Sequence, residues 1–148
     1  MLPRGRGGRR AVAHPAAAAV TPAGLGAALR PGRRAALAWA GLIDASDELT
    51  LFQRPALDIL SYFPARRLLS EIDRSSAHVL NGGMRLPAAR SLFVATYTVN
   101  AASLAARGHR VVTDVASGRI LRSVLMKPET ERLVPALHQQ VLELLAGS

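Results

Sequence analysis

The apolar and polar positions divide the chain into a definite order of elements. Across residues 33–45, Ala36, Leu37, Ala40 and Ile43 can share one side of a helix, so the spacing predicts a short alanine-rich helix. Trp39 is its expected packing anchor, and Asp44 and Ser46 mark its end. Residues 49–52 are short and apolar and predict a strand. After Gln53-Arg54-Pro55, residues 56–63 place Leu57, Ile59, Ser61 and Phe63 on one face and Asp58, Leu60 and Tyr62 on the other. Both faces are partly apolar, as a central strand requires. Pro64 suits the first turn of a helix, where its missing N–H would be unpaired anyway. Leu68, Ile72 and Val79 give that helix its stripe, and Asn81-Gly82-Gly83 is the expected terminator.

Beyond a loop at 82–90, residues 91–99 alternate with strong β formers and predict another strand. Asn100 can cap a brief helix, with Gly108 as its left-handed exit. Residues 110–115 and 119–126 predict two strands of a hairpin turning at Ala116-Ser117-Gly118. The last helix starts near Thr130, with Glu129 and Glu131 suited to its positive end. Its stripe is Leu133, Leu137, Val141, Leu144 and Leu145, and Pro135 should kink or delay it. This order predicts an α+β fold, a two-layer and mostly antiparallel sheet with helices on one face.

The N-terminal segment changes character. Residues 1–32 are dense in glycine and proline and carry arginines without a single acid, which predicts a disordered basic arm. Residues 33–148 form the expected α+β domain. The net charge of +9 suggests a nucleic-acid footprint until it is divided. Residues 1–35 contribute +7, while eleven arginines and Lys127 against ten acids leave the remainder at only +2. Without a basic stripe on the folded body, nucleic-acid binding is not the expected role, and a basic-arm binder stands third among the readings.

Composition narrows the chemistry. A chain of 148 residues can bury a real core. It has no cysteine, which excludes disulfides and thiolate metal sites. His14, His78, His109 and His138 are too scattered for a zinc site. No apolar run reaches the ~20 residues that span a bilayer. Arginines followed by alanines faintly imitate a signal or transit peptide, but His14-Pro15 interrupts the run. The expected location is cytoplasmic, with no membrane partner.

Three motifs in order carry a more specific reading. Pro55-Ala56-Leu57-Asp58-Ile59-Leu60-Ser61-Tyr62-Phe63 precedes Gly118-Arg119-Ile120-Leu121-Arg122, and Pro128-Glu129-Thr130 leads into the final helix. In this order the chain resembles the C-terminal small domain of fold-type-I pyridoxal-phosphate enzymes, closest to the group II amino-acid decarboxylases and their aminotransferase-like relatives. The resemblance covers roughly residues 30–146. It implies a parent enzyme that uses pyridoxal phosphate, works as a homodimer, and holds its Schiff-base lysine and cofactor-clamping aspartate in a preceding large domain. Nothing in residues 1–32 resembles that domain. The expectation is therefore a C-terminal fragment, inactive alone, needing the large catalytic domain or a complementing chain. A stand-alone α+β binding or regulatory module is the alternative.

The resemblance makes Arg122 the candidate substrate-binding residue, since an arginine on a small-domain strand often grips the substrate carboxylate there. The bland reading is an exposed arginine, or one paired with Asp114 across the hairpin. Lys127 is the only lysine, but beside Met126 and Pro128 it is expected to be solvated, not a nucleophile. No catalytic, cofactor-binding or metal-ligating residue is assigned, and no cofactor is expected for this chain alone. Asp58 is expected to pair with Arg54 or Arg66. Gly5, Gly7 and Gly8 lack the strand and Lys-Ser/Thr of a phosphate loop.

Overall fold

The computed structural model describes residues 22–92 and 94–148. Helix α1 (Pro22–Asp44) leads into strands β1 (Leu49–Gln53) and β2 (Ile59–Pro64), followed by α2 (Leu69–Met84). A 3-10 turn at Ala88–Arg90 precedes β3 (Ala95–Asn100), the short α3 (Ala101–Ala105), β4 (Ser117–Val124) and α4 (Thr130–Ala146). The strands form one antiparallel sheet in the order β1-β2-β4-β3. The α+β expectation holds. Among the described residues, no helix is long and apolar enough to cross a membrane.

The helices α1, α2 and α4 cover one face. Ala35, Ala36, Trp39, Ala40 and Ile43 of α1 meet Val134, Leu137, Val141 and Leu145 of α4 over Leu60, Tyr62 and Leu121 of the central strands. Trp39 packs on Tyr62 with ring centroids 5.7 Å apart, the anchor role its position suggested. Small alanines on α1 let the helix approach closely enough for that contact. Leu60 through Pro64 are all buried, which fits a central strand covered on both sides.

A smaller cluster covers only half of the opposite face. Phe52, Phe63, Val99 and Ile120 gather there beneath Leu104 of α3, with Tyr97 and Val111 at its margin. Leu69 and Ile72 from the start of α2 join them. Gly118 makes this possible, because a Cβ there would stand 2.8 Å from Leu69 Cδ1 and 3.1 Å from its carbonyl oxygen. Among the described residues, nothing covers the other half of that face.

Several local expectations need correction. Residues 1–21 of the expected arm lie outside the described residues, but 22–32 belong to α1, which runs straight through Pro31. Gly32 is a packing glycine, not a breaker: a Cβ would stand 2.7 Å from both Asp58 Cβ and the Leu125 carbonyl oxygen. Pro64 closes β2 opposite Leu49, and α2 starts only at Leu69. The terminator at Asn81-Gly82-Gly83 is passed, since α2 continues to Met84.

The predicted hairpin at 110–126 does not form. Residues 110–115 make only a single parallel bridge, with Val112 N–H donating to Arg67 O and Leu69 N–H to Val112 O. β4 pairs instead with β2 and β3, whose longer apolar ladders outcompete the local turn. In α4, Val134 replaces Leu133 in the buried stripe, and Pro135 is accommodated inside the helix. The Asn100 cap is present, its Oδ1 accepting from Ser103 N–H at 2.9 Å, and Gly108 has φ of +77°.

Candidate functional site

Strand register builds the site. Arg122 on β4 lies between Ser61 on β2 and Ala95 on β3, so the three share the sheet face opposite the long helices. One row away, Ile59 faces Val124, and one row the other way Tyr97 faces Ile120. Ser61 is only 6% exposed, while Arg122, Val124, Ile59 and Ala95 are open to solvent. Arg122 and Val124 line an open cleft of about 320 Å³ with Leu92, Val94 and Ala95. Among the described residues, no hydrogen bond or ion pair engages the Arg122 guanidinium.

Tyr97 ties this row to the covered half of the face. Burial pushes its phenol above the ordinary value, opposed by a side-chain hydrogen bond with Ser61 and by the charges of Arg107 and Arg122. Burial is the largest of these, so the hydroxyl stays protonated. The result is a sheet face with a guanidinium unengaged among the described residues, a phenol that feels the charges of Arg107 and Arg122, and flanking apolar side chains. It can bind a carboxylate or phosphate through the planar arginine fork. It presents no paired nucleophile and base among the described residues.

The other candidate residues lie elsewhere. Asp114 does not face Arg122: it caps the start of α2, where its carboxylate accepts from the Ser70 hydroxyl and from Ser70 N–H at 3.0 Å. These bonds hold its carboxyl below the usual range, the hydroxyl's being the largest cause. Arg54 pairs with Asp44 at 3.1 Å, not with Asp58. His109 packs against Phe52 and edge-on to Phe63, with Nε2 2.8 Å from Phe52 O, so it serves the smaller core cluster. His78 is exposed on α2, and His138 stands half-buried on α4.

Lys127 is exposed in the connection from β4 to α4, beside Val124, Met126 and Thr130. It also lines a second shallow cleft with Ser91, Glu129 and Leu133, at the N-terminal end of α4. Among the described residues, no group of three histidine, aspartate or glutamate side chains could hold a metal ion.

Sequence reasoning singled out Arg122 but missed Ser61, Tyr97 and Arg107. The alternation at 91–99 could have placed Tyr97 on one strand face. Only the register, which pairs residues 61 and 97 with the same strand β4, brings them together. No protein-family model, curated protein or solved structure matches this chain.

Proposed function

We propose that the chain is the small-domain part of a pyridoxal-phosphate-dependent, amino-acid decarboxylase-like enzyme, inactive alone and completed by a large catalytic domain on a complementing chain. The observation that carries this reading is the guanidinium of Arg122, unengaged among the described residues, on an open sheet face. In the completed enzyme Arg122 pairs with the substrate carboxylate. Water exclusion by the covering domain strengthens that pair. Ile59, Val124 and Met126 give the same region apolar area for such a domain to bury. The alternative, a stand-alone α+β binding module, expects no large exposed apolar patch.

The order of the three motifs in the sequence supports the same assignment. Pyridoxal phosphate, when bound, supplies the electron sink in that family. Its lysine and phosphate-binding groups come from the large domain, and the part of this chain is to bind and orient the substrate. The completed enzyme is expected to be a homodimer of such units.

The test is co-expression with a neighbouring upstream reading frame that encodes a Ser/Asn-x-His-Lys segment. The expected product is a co-purified complex that decarboxylates an amino acid. Arg122→Gln should raise its KM by on the order of tenfold without loosening the complex. Absence of such a frame, or a KM indifferent to Arg122, overturns the reading.

A further inference from the structure

Arg107, just beyond α3, is held in a fixed orientation without a counter-ion among the described residues. Its Nε donates to Gln53 Oε1 on β1 at 3.0 Å, and its NH1 donates to Ser103 O at 3.0 Å. The guanidinium carbon stands 4.3 Å from the centroid of the Phe52 ring. These contacts set the guanidinium plane before any ligand arrives, yet they use only two of its five N–H donors. Gln53 matters here. A glutamate would have held the same nitrogen and cancelled the charge, whereas the neutral amide orients the arginine and leaves the charge available.

Arg107 lines an open cleft of about 300 Å³ with Phe52, Tyr97, Thr98, Val99 and Asn100. Among the described residues, no carboxylate stands in its wall. Asn100 already closes the first turn of α3 through Ser103 N–H, so the positive charge of the cleft comes from Arg107 itself. Arg122, on the same sheet face, adds to it, since both arginines act on the Tyr97 hydroxyl. The volume lies at the small end of ligand pockets and suits a compact polar group. A second basic cleft, with Arg66, Arg74 and His78, is less suited because Glu71 and the negative C-terminal end of α4 share its wall.

We propose that the Arg107 cleft is an oxyanion-binding site. It takes the carboxylate or phosphate group of a small metabolite on the remaining N–H donors of Arg107, in the cleft beside Tyr97 and Asn100. This site is distinct from Arg122 and does not depend on the decarboxylase reading.

The test uses the full 148-residue chain, titrated with inorganic phosphate and separately with acetate, against sodium chloride at matched ionic strength. Arginine Nε and backbone amide resonances are followed by NMR. Saturating shifts are expected at Arg107 Nε and at the amides of Thr98, Val99 and Asn100. Arg107→Lys keeps the charge but loses the fork, and should weaken binding by on the order of tenfold. Arg107→Gln should abolish it; if that variant loosens α3, Arg107→Lys decides the matter. Tighter phosphate binding identifies a phosphate monoester as the natural group, tighter acetate binding a carboxylate. Shifts that do not saturate, that chloride reproduces, or that survive unchanged in Arg107→Lys overturn the proposal.

Discussion

Asp73 on α2 and Arg119 on β4 are joined three times over. Asp73 Oδ1 accepts from Arg119 Nε at 2.7 Å and from its backbone N–H at 2.8 Å, while Oδ2 accepts from NH2 at 2.8 Å. The pair locks the helix onto the first half of the strand whose second half presents Arg122. The Arg119 side chain, more than the opposing burial, holds the Asp73 carboxyl below the usual carboxylate range.

An acid-sensitivity prediction follows from that direction. With its pKa depressed in the folded state, Asp73 stabilises the fold above the unfolded carboxylate value of about 3.9, and the contribution is lost as pH falls through the lower folded value. Because the pair is partly exposed, Asp73→Asn should cost only about 0.5–1 kcal/mol near neutral pH. The gap from wild type should narrow below about pH 4. Urea unfolding at a series of pH values measures this, and a gap that stays constant into acid would contradict it.

His138 sets a second pH window with the same sign but a different cause. Burial lowers its pKa, with Glu48 pulling weakly the other way, and its Nδ1 is buried without a hydrogen-bond partner among the described residues. The folded state therefore keeps the ring neutral. Its contribution is full above the unfolded value of about 6.5 and falls as pH drops from there toward the folded value. His138→Leu should flatten the stability profile in that window. An unchanged slope would place the sensitivity on another group.

Tyr62 and Ser123 form the buried polar pair of the main core, their oxygens 3.2 Å apart. Burial drives the Tyr62 phenol well above its ordinary value, and the Ser123 bond offsets only part of that rise. Tyr62→Phe leaves the Ser123 hydroxyl without its partner and should cost about 1–2 kcal/mol. Adding Ser123→Ala should recover part of the loss, since neither group is then left unpaired. Thermal unfolding of the four forms gives the coupling, and strict additivity would show that the two hydroxyls act independently.

The elements were legible where one pattern dominated. The apolar run through Leu60, Tyr62 and Phe63 and the stripe through Leu137, Val141 and Leu145 both mark real elements, because these residues are buried, although the strand starts only at Ile59 and Leu57 stays exposed. Failures came where tertiary contacts overrode local signals. Gly32 and Gly118 carry turn chemistry in the sequence, yet each serves close packing against Leu125 or Leu69. Pro31 and Pro135 sit inside helices whose packing against each other compensates for the missing bonds. Arg122 could be named from its motif, but its neighbours could not. A shift of one residue in register would send its side chain to the helix-covered face.

Arg122 and Arg119, three positions apart on β4, separate stability from function. Arg119 projects toward α2 and is fully engaged by Asp73, whereas Arg122 projects onto the open face and meets no acid among the described residues. Arg119→Gln should therefore lower unfolding free energy by about 0.5–1 kcal/mol, in line with partly exposed pairs. Arg122→Gln should change it by less than about 0.5 kcal/mol, because an exposed side chain without partners contributes little to the fold. Denaturant midpoints of the two variants, measured side by side at neutral pH, make the comparison independent of absolute stability. If Arg122→Gln destabilises the chain as much as Arg119→Gln, then Arg122 is a structural residue, and the open face loses its claim to be a binding surface.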